Sequence, residues 1–150
     1  MTSQKSIDQF FAPGKFAIVG ASRKGNKFGN SILKEFIKKG IKIYPVHPEV
    51  DSIDGISAYK NFDSLPEKIE SLINVVPPSE TKAVVSQAKE SGINNIWLQL
   101  GSGSNEAIQY CKENDINVIS GECILMFTEP VGSIHKFHKW IWKILGKLPK

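Results

Sequence analysis

Phe16-Ala17-Ile18-Val19-Gly20-Ala21-Ser22-Arg23-Lys24-Gly25-Asn26-Lys27-Phe28-Gly29-Asn30-Ser31 is an apolar run that breaks into a loop of Gly, Ser and basic residues, then into a helical pattern. Residues 16–19, bounded by Gly14 and Gly20, suit a strand buried on both faces, as in a parallel sheet. The glycines let the backbone turn sharply into the helix that follows. At a helix start the first N–H groups have no intrahelical partner and the macrodipole turns its positive end outward. A phosphate is the natural occupant of such a place. Arg23, Lys24 and Lys27 add charge of the matching sign. The bland alternative is a tight βα turn with no ligand, which the basic neighbours argue against.

Upstream, Ile7, Phe10 and Phe11 recur at near-helical spacing before Ala12-Pro13-Gly14, which predicts a short helix against the sheet edge. Downstream, Phe28, Ile32, Leu33, Phe36 and Ile37 fall on one helical face, and Gly40 stands where a C-terminal glycine cap belongs. Residues 41–46 read as a second strand ending in His47-Pro48, paired parallel to the first through a right-handed crossover. Residues 51–59, with the turn signal Asp54-Gly55, and 61–66 are expected to be irregular. A third strand is predicted at 71–76, stopped by Pro77-Pro78. Ser79 is the expected N-cap of a helix carrying Ala83, Val84 and Ala88 and closing at Gly92. Residues 95–100 read as a fourth strand, 101–104 as a loop, 105–114 as a helix with Ala107, Ile108 and Cys111 inward, and 117–119 as a fifth strand.

This alternation predicts an α/β fold: a doubly wound parallel sheet, Rossmann-like, of about five strands with helices on both faces. The chain reads as one domain over 1–150 with its core at 16–126. Ligands of such sheets bind outside the carboxyl ends of the strands at the topological switch point. Loop chemistry stands at four predicted strand ends: Gly20-Ala21-Ser22, His47-Pro48, Pro77-Pro78 and Gly101-Ser102-Gly103. The last segment, 133–150, sets Ile134, Phe137, Trp140, Ile141, Ile144 and Leu145 on one face and Lys136, Lys139, Lys143 and Lys147 elsewhere. It predicts an amphipathic basic helix that docks on this protein or a second copy, or else on a membrane surface or another partner.

Composition narrows the classes. With 41% apolar and 23% charged residues the chain is an ordinary folded protein. A net charge of +4 permits a polyanionic ligand, but the lysines are scattered, so no nucleic-acid partner is expected. Cys111 and Cys123 form neither a disulfide framework nor a metal spacing, and His135 with His138 lacks further ligands. No signal-peptide pattern opens the chain, and nothing approaches the roughly 20 apolar residues of a membrane span. A cytoplasmic location is expected.

A nicotinamide site would show G-x-G-x-x-G and an acidic residue at the end of the second strand. Here Gly20-Ala21-Ser22 replaces the first and Val46-His47-Pro48 the second. NADP held through Arg23 or Lys24 stays open as an alternative, whereas a P-loop is excluded because no Gly-Lys-Ser/Thr follows. No Ser-His-Asp or paired-carboxylate constellation assembles, so no catalytic residue is predicted.

Several stretches taken together resemble the small stand-alone coenzyme A-binding proteins: Val19-Gly20-Ala21-Ser22-Arg23, Lys27-Phe28-Gly29-Asn30, Tyr44-Pro45-Val46-His47-Pro48, Asp54-Gly55, Val76-Pro77-Pro78, Trp97-Leu98-Gln99-Leu100-Gly101 and Cys123-Ile124-Leu125-Met126. The fold of that family is similar to the CoA-binding domain of the succinyl-CoA synthetase alpha subunit. The resemblance covers about residues 16–126. It implies CoA or acyl-CoA as ligand, with phosphates on Gly20, Ala21, Ser22 and Arg23 and on the helix start Lys27, Phe28, Gly29 and Asn30. Val46, His47 and Pro48 would flank the nucleotide, although family members commonly carry Asn where this chain has His47. Val76, Pro77 and Pro78 would line the adenine or pantetheine path, and Gln99 and Gly101 would sit across the mouth. The Cys123 thiol would come near the thiol end of CoA, or simply pack, as Trp97 and Cys111 are expected to do. The synthetase's phosphohistidine region has no counterpart among these residues, so ligation is not implied and a non-catalytic or regulatory binding protein is expected. The alternatives are an NADP-dependent oxidoreductase using the same cleft, or an interaction module acting through 133–150.

Overall fold

Successive side chains of a strand point to opposite faces, and here both faces are covered. In the computed structural model, which describes residues 3–128, the elements run α1 (Gln4–Phe11), β1 (Lys15–Val19), α2 (Phe28–Lys38), β2 (Lys42–Val46), β3 (Ser52–Ile53), β4 (Ile56–Ser57), β5 (Ser71–Asn74), α3 (Pro78–Glu90), β6 (Asn95–Gln99), α4 (Asn105–Glu113) and β7 (Asn117–Glu122). Short 3-10 turns stand at Phe62–Ser64 and Ile124–Met126. The helix expected at 133–150, with His135 and His138, lies outside the described residues.

The main sheet has five parallel strands in the order β2-β1-β5-β6-β7. Phe16, Ile18, Ile73, Trp97 and Ile119 face α1 and α2, packing with Phe10, Ile32, Leu33 and Phe36. Ala17, Leu72, Ile96 and Leu98 face α3 and α4, packing with Val85, Ala88, Ala107 and Cys111. Phe10 stacks on both Phe16 and Trp97, with centroids 5.3 and 5.4 Å apart, which seats α1 on the sheet. The chain leaves β1 for β2 on one side and returns to place β5 on the other. The switch point therefore lies between β1 and β5.

Three helices end alike. Ile41 N–H reaches back to the Phe36 carbonyl (2.9 Å), Ile93 N–H to Ala88 (3.0 Å) and Ile116 N–H to Cys111 (2.9 Å). In each case the preceding residue, Gly40, Gly92 or Asp115, takes positive φ, the Schellman geometry.

Four local expectations are corrected. Phe28 and Ile37 are exposed, because at 100° per residue each lies about 90° from the centre of the stripe made by Ile32, Leu33 and Phe36. Ser79 is not the N-cap. Pro77 occupies that position and Pro78 is the first helical residue, where its missing N–H costs nothing and its φ is preset. The buried face of α3 is Thr81, Val85 and Ala88, while Ala83 is exposed and Val84 half-buried. Residues 51–59 are not wholly irregular: Asp54 and Gly55 both take positive φ, closing a hairpin in which Ile53 pairs with Ile56. Beyond it, Tyr59 bonds alongside β2, with His47 N–H donating to its carbonyl at 2.8 Å.

Candidate functional site

Two glycines bring β1, β5 and α2 together at the switch point. A Cβ on Gly20 would lie 2.7 Å from the Val75 carbonyl carbon, and one on Gly29 would lie 2.8 Å from the Gly20 oxygen. With φ at +114°, Gly20 also takes a backbone conformation that other residues rarely adopt. The loop between them is folded by its own polar groups. Gly25 N–H donates to the Ser22 carbonyl (3.1 Å) and Lys24 N–H to the Ser22 hydroxyl (3.0 Å).

Asn30 holds this loop in place from beneath. Its Oδ1 accepts the Ser22 N–H at 2.8 Å and the Lys27 N–H at 3.4 Å. Its Nδ2 donates to the Ser22 carbonyl and to Asp54 Oδ2, both at 2.8 Å. The side chain is buried, so its role is to shape the loop while the backbone faces the crevice. Asp54, which the sequence reading did not place among the site residues, supports this loop through Asn30. The sequence showed it as a turn signal and within the family resemblance, but not as a support of the loop, because its contact with Asn30 spans 24 positions. Lys34 lies 4.0 Å from the same carboxylate.

Above the loop is a cavity of about 640 Å³ walled by β1, the ends of β2 and β5, the first turns of α3 and the segment after Tyr59. Of the residues singled out in the sequence, Gly20, Ala21, Ser22, Arg23, Lys27, Val46, His47, Pro48, Val76 and Pro77 line it. Lys24, Lys60, Asn61 and Phe62 also line it. The cations Arg23, Lys24, Lys27 and Lys60 outnumber the carboxylates Glu49 and Glu80 there. The field therefore favours an anion. His47 Nδ1 accepts the Glu49 N–H at 3.1 Å, which commits that nitrogen to the turn.

A second cavity, of about 450 Å³, lies across the ends of β5, β6 and β7 and is lined by Phe28, Gln99, Gly101, Leu100, Ser102 and Cys123. It shares Gly20, Lys27, Val75, Val76 and Pro77 with the first. Gly29, Asn30 and Pro78 line neither cavity; they support the walls. Trp97 is wholly buried with its indole N–H on the Glu122 carbonyl (3.0 Å), and burial pushes the Cys111 thiol up to about 11. Both are core residues.

A basic crevice at the switch point, lined by Gly20 and backed by a helix N-terminus, defines a doubly wound domain whose field there favours an anion. Family comparison sharpens this: residues 14–129 match the family model described as CoA binding domain, and the chain belongs to that family. It is 31% identical over 93 residues to the alpha subunit of ADP-forming acetate–CoA ligase II from Pyrococcus furiosus, a match covering 61% of this chain and 20% of that subunit. The chain thus spans about a fifth of the length of that relative. It is 29% identical over 111 residues to the uncharacterized protein YneT of Bacillus subtilis, covering 73% of this chain and 82% of YneT. A conserved hypothetical protein of known structure from Pyrococcus furiosus superposes with a TM-score of 0.72 at 35% identity, covering 76% of this chain and 98% of that one. Among the described residues, no helix is long and apolar enough to cross a membrane, and no group of three or more His, Cys, Asp or Glu could hold a metal.

Proposed function

We propose that the protein binds coenzyme A or an acyl-CoA at this crevice, as a binding or regulatory protein and not as a complete ligase. The phosphates would rest on the backbone of residues 20–23 and on the first turn of α2, with Arg23, Lys24, Lys27 and Lys60 neutralising them. The adenosine would lie in the 640 Å³ cavity beside Val46, His47 and Pro48, and the pantetheine would pass Val76 and Pro77 toward Gln99 and Gly101. The observation that carries this reading is the continuity of a cation-lined cavity with a more apolar one through Gly20, Lys27 and residues 75–77. CoA has the same two-part character, a charged nucleotide on a long uncharged arm. With both cysteines unpaired, we assign the protein to a reducing, cytoplasmic compartment.

Thermal unfolding in the presence of CoA, dephospho-CoA and NADP tests the proposal. A ligand at a hundred times its Kd stabilises the native state by about 2.7 kcal/mol. CoA should raise the melting temperature most. Equal shifts with all three, or none, would reject the reading, and a larger shift with NADP would favour the oxidoreductase alternative.

A further inference from the structure

Two polar side chains in the wall of the 450 Å³ cavity, Gln99 and Ser102, are tied back into the protein. The Gln99 carboxamide accepts the Ile124 N–H at 3.0 Å, and the Ser102 hydroxyl is shared between the Asn74 and Gln99 carbonyls at 2.9 and 2.8 Å. Both residues are buried. What the wall offers a ligand is then mostly apolar, Phe28, Val75, Val76, Pro77, Leu100 and the Cys123 thiol, with the Gln99 amide N–H groups as donors and Lys27 on the side shared with the cationic cavity. Phe28 is 46% exposed and Leu100 56%, two of the three large apolar side chains exposed among the described residues. Apolar side chains left in water around a concave site mark a contact surface.

We infer that this cavity receives the acyl group of an acyl-CoA thioester, so that the preferred ligand is an apolar acyl-CoA over free CoA. This rests on the reading of the neighbouring cavity as the CoA nucleotide site. Phosphates fixed by the loop at residues 20–23 send the far end of the same molecule past residues 75–77 and into the apolar wall. Free CoA ends there in a small thiol that covers little of Phe28 or Leu100. An acyl chain displaces water from both, and each buried methylene strengthens binding about fourfold. The inference therefore predicts a dependence on chain length, which a site for CoA alone would not show.

Titration calorimetry of the full chain with CoA, acetyl-CoA and butyryl-CoA is the test. Butyryl-CoA should bind at least about tenfold tighter than CoA, with acetyl-CoA between them. Leu100→Ser should cut the butyryl-to-CoA affinity ratio by about threefold or more. Leu100 lies mostly in solvent, so its replacement leaves the core packing alone. Butyryl-CoA binding no tighter than CoA, or a ratio unchanged by Leu100→Ser, would overturn the inference while leaving CoA binding in place. Failure of all three ligands to bind would remove the nucleotide-site reading itself, and the inference with it.

Discussion

Asn30 shows how a residue can be essential to a binding site without facing it. A buried carboxamide that satisfies both backbone groups of Ser22 and reaches Asp54 fixes the path of the loop and the direction of its N–H groups. Asn30→Ala would remove these part-buried hydrogen bonds, costing about 1 kcal/mol or somewhat more in urea unfolding. It should weaken CoA binding even in molecules that remain folded. Stability equal to that of the unaltered protein would show the loop to be held by other means. The residue types at 20–30 were legible from the sequence as a phosphate cradle. The division of labour among them was not, because it is set by which side chains are buried and by an acid 24 positions away.

At the scale of elements, the three central strands were legible because each is a short run buried on both faces, and α2 because the middle of its apolar stripe and its Gly40 cap agree. The hairpin at residues 52–57 escaped because two residues per strand give no alternation to read, even though its Asp54-Gly55 turn was visible. The end of α4 was less plain than those of α2 and α3 for a similar reason. Asp115 fills, at φ 56°, the position that Gly40 and Gly92 fill elsewhere. An L side chain in that conformation costs about 1–2 kcal/mol, somewhat less for Asp, whose side chain bonds locally. Asp115→Gly should therefore raise stability by about 0.5–1 kcal/mol, and a loss of stability in the same unfolding assay would show that the Asp115 side chain contributes something the caps do not.

Taken whole, the molecule places one pH-sensitive cluster at the end of the sheet away from its candidate site. At the amino ends of β1 and β2, Glu67 is held down to about 2, first by the hydrogen bond from Lys15 at 2.7 Å, then by that from the Tyr44 hydroxyl, with Lys42 adding charge at 3.5 Å. The same bond pushes Tyr44 up to about 12. Because the Glu67 carboxyl is more acidic folded than unfolded, its contribution is complete above its ordinary value of 4.5 and is lost as pH falls from there through about 2. Glu67→Gln should flatten the dependence of the melting temperature on pH across that acid window. Because Tyr44 is less acidic folded than unfolded, its own contribution is complete below 10 and fades as pH rises toward 12. An acid-side profile unchanged by Glu67→Gln would show that the cluster contributes nothing measurable. The opposite end of the sheet carries the loop, the cations and both cavities.

The central claim is that this end recognises CoA by its phosphates. It is tested most directly by the difference in melting temperature between saturating CoA and dephospho-CoA, which differ only in the 3′-phosphate. The account predicts a clearly larger rise with CoA, narrowing as salt screens Arg23, Lys24, Lys27 and Lys60. Equal rises, insensitive to salt, would contradict it.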